Sequence, residues 1–503
     1  MRIQWFEWIL ALGLMWRAFR FRSNEGVLPG SFSTERSIAL LVTSYACLAF
    51  IAKLSQYFSL SLNAQDFWLF IDILRNTQAG DFFITHFGPQ AWGPVQHGAV
   101  HPFLPWAALA PLSHIFGNVW VGLLFNPLCF ALAGWMLNQL ARHLGLKSEW
   151  RFLLVLAFLF SRQSSLTVMY EVHPEALYPL LSFGMVYALI RESWWQAFAW
   201  GVVLGLLKED SFMVVWGCGI AAWFLNPGLV RKLPKVMGVF GASALAYGLQ
   251  VWLIQYFNRN AYGGVIPSAG VLVGNHKWDS LRSIGATAQA LLEANGGLSG
   301  TLVAYGRFLI SDSWRGILFT APWVALSPGF WLAELPLTFS FSLRGTNAVF
   351  WNYYSVPFIA FFWIFLIKQL ASKVSIRWAW AVVVLSLLNG SESLVISIPN
   401  AETMAIRQEA GDCSKRVDSF QGKGVVLARL IPFVPLAKVI SDRLPGSAEE
   451  EARVSYYFLT KNLTSYNIAL SDLKAKIESL KRPGSGFRIL CETDRLILVG
   501  RKL

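Results

Sequence analysis

Hydrophobic runs near 20 residues, separated by short clusters of polar and charged positions, recur along the first 393 residues of this chain. Each is about what crosses a ~30 Å hydrocarbon core. A shorter apolar stretch, 4–16, precedes Arg17, Arg20 and Arg22 and lacks a small-residue cleavage site. It reads as an interfacial helix or a signal anchor, not a cleaved signal. The first full span is 38–58, then comes a polar-aromatic stretch, 59–100. The proline-punctuated run 102–116 reads as re-entrant or spanning. Further spans fall at 119–141, 152–170, 175–191, 194–207, 211–226, 236–256, 316–326, 329–342, 353–370 and 376–393. Without 102–116 the count is about eleven.

Beyond residue 393 the pattern changes. A helical stretch is expected near 448–481, and 486–493 with 494–501 alternate apolar and polar residues around a turn, as in a β-hairpin. The expected organisation is an N-terminal segment 1–36, a multispanning all-α membrane domain 37–393 with an outer loop 59–117, and a small α/β domain 394–503.

Composition agrees: of 503 residues 55% are hydrophobic and only 14% charged. The net charge of +13 is spread over short loops, so it suits anionic lipid and not nucleic acid. The basic loops 142–151, 227–235 and 368–377 are expected on the cytoplasmic face of the cell membrane. Alternation then places the N-terminus inside and the tail outside. It also puts the loop 59–100, His173, Lys208 to Asp210 and the segment 343–352 on one outer face. Cys413 and Cys491 lie in that exported tail, where a disulfide can form.

Charge at membrane depth is costly and marks a polar cavity or a pair. Two clusters stand out, Glu171-Val172-His173-Pro174-Glu175 and Lys208-Glu209-Asp210, at the ends of apolar runs. Pro174 and Glu175 also suit a helix start, which leaves His173 and Glu171 unexplained. Lys208 can hold a lipid phosphate or sit in a solvated turn. In the outer loop, Asp66 has Phe67, Trp68 and Phe70 beside it and is a candidate general base, with Asp72 and Arg75 nearby. His86, His97 and His101 share that loop but lack the glutamate a zinc helix needs, so hydrogen bonding to phosphate or sugar suits them better. Asn352-Tyr353-Tyr354 opens a later span as a site element or an aromatic belt.

On His173-Pro174-Glu175-Ala176 followed by Leu207-Lys208-Glu209-Asp210, the chain resembles the prokaryotic multispanning family called domain of unknown function 2079. Asp66 with Asn76-Thr77 ten residues on, His101 before a proline-rich run, and Tyr354-Ser355-Val356-Pro357 extend the likeness over roughly 60–370. Asp72 stands one position from the family's second acid, and Tyr353 replaces a histidine. The family is similar to C-type membrane glycosyltransferases. The resemblance implies transfer of a sugar from a polyprenyl-phosphate donor at the outer leaflet, with inversion. Asp66 would then be the base, with His173 and Glu175 at the catalytic centre. Lys208, Glu209, Asp210, Arg75, His101, Asn76 and Tyr354 would bind substrate. No cofactor is required, though a divalent metal has room. The rival readings are a lipid or solute transporter using the same charges, and an inactive lipid-binding scaffold.

Overall fold

The computed structural model describes residues 35–62, 65–86, 95–99, 102–208, 210–262, 289, 292–293, 296–309, 321–343, 356–371, 381–386, 399–417, 422–441, 444–461 and 468–502. They form a mostly helical body with a small sheet at the C-terminal end. The helices are α1 (Glu35–Phe58), α2 (Gln65–Gln78), α3 (Asn118–His143), α4 (Ser148–Leu159) and α5 (Arg162–Met169). Then follow α6 (Tyr178–Ile190), α7 (Trp194–Gly205), α8 (Ser211–Leu225), α9 (Leu233–Tyr262), α10 (Gly297–Leu309), α11 (Pro328–Leu343) and α12 (Val356–Ala371).

Three segments, Glu35–Phe58, Asn118–His143 and Pro227–Phe257, are long and apolar enough to cross a membrane, by length and composition. Four shorter apolar helical segments accompany them among the described residues. About eleven such spans were expected, and the difference has local causes. The run 152–170 breaks into α4 and α5 with a 47° bend, because Ser161 caps α5 by accepting from the Ser164 N–H. The run 194–207 is a helix of 12 residues. Two short helices, Leu104–Ala107 and Ala110–Phe116, occupy the proline-punctuated run. Of 376–393 only 381–386 is described.

Packing follows from helix faces. α12 is apolar all round and buried from Val356 through Ile367, so it lies inside the bundle against α6, α8 and α11. Gly217 lets α8 approach closely: a methyl group there would collide with the Phe361 ring and the Ala333 carbonyl. The basic loops gather at one end. Glu35 accepts from Arg151 at 2.5 Å and lies 3.6 Å from Arg142, His143 packs on Tyr187, and Glu192 lies 3.6 Å from Lys232. The loops after α5 and α7 lie at the other end.

The C-terminal part docks at that second end, where Arg407 on the helix α13 (Ala401–Ser414) donates to the carbonyls of Tyr57 and Phe58. Two short strands pair in the segment between α2 and α3, β1 (Ile84–Thr85) and β2 (Val95–Gln96). The tail's sheet is built from β3 (Gly424–Val426), β4 (Val439–Ser441), β5 (Tyr456–Thr460), β6 (Phe487–Glu492) and β7 (Leu496–Arg501), in the order β4-β3-β5-β7-β6. β3 runs parallel to β4 and β5, while β6 and β7 form the expected hairpin. The single helical stretch expected over 448–481 is instead one turn, Ala448–Ala452, then β5, then α14 (Leu470–Lys481). β5 is a wholly buried central strand, and periodicity alone does not tell such a run from a buried helix. A disulfide joins Cys413 to Cys491.

Candidate functional site

The site begins with α2, in the segment between α1 and α3. Asp66 lies in its first turn and Arg75 in its last, matching the helix dipole. The free N–H groups of Asp66 and Phe67 donate to the Glu171 carboxylate at 2.8 and 3.3 Å. Residues 67–74 are buried, so the helix is held by packing all round and at its start by a carboxylate from 105 residues away.

Glu171 belongs to a short extended link between α5 and a 3-10 turn, Pro174–Leu177. His173 is extended (φ −141°, ψ 128°), as the residue before proline prefers, and Pro174 starts the turn without losing a needed N–H. That geometry turns the His173 ring between two acids. Nε2 lies 3.1 Å from Asp66 Oδ2, and Nδ1 lies 3.0 Å from Glu175 Oε2. The other Glu175 oxygen accepts from Lys208 Nζ at 2.6 Å. The result is an unbroken chain, Asp66–His173–Glu175–Lys208. His173, Glu175 and Lys208 are buried, whereas the Asp66 side chain is 33% exposed and forms the open end.

Electrostatics follow from the order of the chain. Burial opposes charge on His173, but the carboxylates of Glu175 and Asp66 outweigh it and raise its pKa to about 9. Burial likewise opposes charge on Asp66, yet the hydrogen bond and charge of His173 hold its pKa below the usual value. Among the described residues Glu171 has no cation in direct contact, and burial with the nearby Asp66 charge lifts it to about 7. Phe70 meets the His173 ring edge-on at 5.4 Å, and Tyr170 flanks it at 5.7 Å.

The support behind the chain escaped sequence reasoning. Asn126, fully buried in α3 beside Pro127, donates to the carbonyls of Thr167 and Glu171 at 3.1 and 2.7 Å. Its oxygen accepts from the His173 N–H at 3.4 Å. Lys53, fully buried in α1, donates to the Tyr170 carbonyl and, at 3.5 Å, to that of Met169, satisfying the end of α5. An isolated Lys and an Asn-Pro pair inside apolar helices were the available signals. Glu171 was visible as part of a charged cluster but had no assigned role.

Other candidates separate from this chain. Asp210 accepts from the buried Tyr178 hydroxyl, and Ser211 Oγ accepts from the Lys208 N–H at 2.8 Å, which shapes the turn after α7. Arg75 lies 3.3 Å from Asp72, whose second oxygen accepts from His86 N at 2.7 Å, and Asn76 donates to the Ile84 carbonyl at 2.8 Å. These contacts fold the residues after α2 back on it. His101, Glu209 and Tyr354 lie outside the described residues. Among the described residues, no three His, Cys, Asp or Glu side chains converge as a metal site requires.

The chain has a fold already seen in membrane glycosyltransferases of the C type. The structure is similar to that of ArnT from Cupriavidus metallidurans bound to undecaprenyl phosphate: TM-score 0.53, 10% identity, 93% of this chain and 98% of that one covered. The Archaeoglobus fulgidus oligosaccharyltransferase in its apo form aligns at a TM-score of 0.40 and 13% identity, over 83% and 69%. No curated protein matches the sequence. The chain belongs to the family described as predicted membrane protein (DUF2079), whose model matches residues 56–413.

Proposed function

We propose that this protein is a membrane glycosyltransferase that moves a sugar from a polyprenyl-phosphate donor to an acceptor at the outer leaflet, with inversion. The observation that carries the reading is the chain Asp66–His173–Glu175–Lys208, which joins the outer-loop aspartate to both charged motifs. Asp66 takes the proton of an acceptor hydroxyl as that oxygen attacks the anomeric carbon. The bond from that carbon to the phosphate oxygen breaks, and its electron pair leaves on the phosphate. A protonated His173 holds the Asp66 carboxylate in orientation. Lys208, kept in place by Glu175, is the cation that meets the donor phosphate, whose negative charge grows in the transition state. A phosphate-linked lipid is consistent with the undecaprenyl phosphate bound in the ArnT structure. The tail and the site face the outside of the cell membrane in this reading, in keeping with the Cys413–Cys491 disulfide.

The test is consumption of a polyprenyl-phosphate sugar by the purified full-length chain in detergent, followed as release of polyprenyl phosphate. Asp66→Asn should still bind donor but not consume it, whereas Lys208→Met should weaken binding. Full consumption by Asp66→Asn removes Asp66 as the base. Failure with every polyprenyl donor, together with lipid movement across vesicles, replaces the transferase with a transporter.

A further inference from the structure

Away from Asp66, an apolar groove of about 520 Å³ runs between α8 and α9. That is within the ~300–1,000 Å³ typical of ligand pockets. Trp216, Ile220 and Trp223 form one wall, and Leu233, Met237 and Phe240 the other. The α9 residues follow one helical face, with spacings of four and three. No charged side chain lines the groove, and four of these six residues, Trp216, Trp223, Leu233 and Met237, are 44–58% exposed. Such an apolar surface in a membrane bundle is open to lipid.

The loop between the two helices closes one end of the groove and is basic. It carries Arg231 and Lys232, and Lys235 follows in the first turn of α9; the three are interleaved with the lining residues Val230 and Leu233. Two of these cations are already engaged: Lys232 lies 3.6 Å from Glu192, and Lys235 lies 5.6 Å from the centre of the Trp194 ring. Arg231 is exposed and makes no ion pair among the described residues. We infer that this groove is a binding site for an anionic phospholipid, with an acyl chain between α8 and α9 and the phosphate on Arg231. Charge complementarity selects the occupant: a guanidinium next in sequence to the lining residue Val230 matches a phosphodiester, and the groove matches a hydrocarbon chain. The site is separate from the Asp66 chain and would hold whether or not sugar transfer is found.

Gly241 supplies a clean test. It lines the groove, and a Cβ there meets nothing within 4 Å, so Gly241→Leu puts a branched side chain into the groove from a position with room at its Cβ. Leucine is also the better helix former. The full-length chain in detergent would be titrated with phosphatidylglycerol and, separately, phosphatidylcholine, with bound lipid counted by native mass spectrometry. Phosphatidylglycerol should bind more tightly, Arg231→Gln should weaken it about fivefold, and Gly241→Leu should weaken binding of both lipids. Equal binding of the two lipids, or binding unchanged in Gly241→Leu, overturns the proposal. So does displacement of phosphatidylglycerol by undecaprenyl phosphate, which would name a different occupant.

Discussion

Glu175 and Glu334 are both buried within apolar helical segments, and their surroundings are opposite. Glu175 touches His173 at 3.0 Å and Lys208 at 2.6 Å. Glu334, in α11, has no hydrogen-bond partner for either carboxyl oxygen among the described residues. The first carboxylate is the centre of a network whose members satisfy one another. The second is a desolvated polar group with no return among the described residues, which costs free energy. A buried acid therefore says little by itself. Its partners decide whether it locks a site together or strains the helix carrying it.

The comparison can be sharpened from its exposed end first. Asp66→Asn keeps the shape of the outermost member and removes its basicity. Turnover of a polyprenyl-phosphate sugar should fall ~10²- to 10⁴-fold, the usual loss for a general base, while thermal stability in detergent stays near wild type. A large loss of stability instead would make Asp66 a structural member of the chain.

Glu175→Gln should have the next largest effect. It leaves Lys208 and His173 buried with their main countercharge gone, and breaking a buried pair from one side costs ~3–5 kcal/mol. Adding Lys208→Met should restore part of that, because the stranded cation is removed too. If the single change costs under ~1 kcal/mol by denaturant or thermal unfolding, the network is looser than its geometry.

Glu334→Leu should go the other way, stabilising by about 1–3 kcal/mol, since an unsatisfied polar group is replaced by an apolar one. Destabilisation matching that of Glu175→Gln would show that Glu334 has a partner after all, and the contrast would collapse.

The gentlest probe is pH. Glu171, lifted to about 7 from an ordinary 4.5, binds its proton more tightly when folded. Its contribution is therefore fully present below about pH 4.5 and lost as pH rises through 7. His173, raised from 6.5 to about 9, has the same sign: its contribution is present below 6.5 and lost by about 9. These two contributions should thus decline from pH 4.5 to 9, with Glu171→Gln removing the lower part and His173→Gln the upper. A profile rising with pH in both variants and wild type would contradict the assignment.

Much of this was written locally in the chain. Apolar runs, the β6–β7 alternation and the His-Pro-Glu and Lys-Glu-Asp clusters are patterns of neighbours, so they survive without a fold. A proline after His173 restricts the histidine backbone in any context. The broken span at Ser161 and the buried strand β5 were harder, because a cap and a continuous apolar run look alike in helices and strands.

The sequence alone determined that this is a membrane chain with charged residues kept at the ends of its apolar runs. Local periodicity and the cost of charge in lipid were sufficient for that. Only the tertiary structure decided which charges meet. Asp66 and His173 are 107 residues apart, and Glu175 and Lys208 are 33 apart. Their order in one chain depends on how α2, α6 and α8 pack. The same packing gave Asn126 and Lys53 their supporting roles, and it left Glu334 without a described partner. A side chain's type is set by its own codon, but its partner is set by helices brought together across a hundred residues.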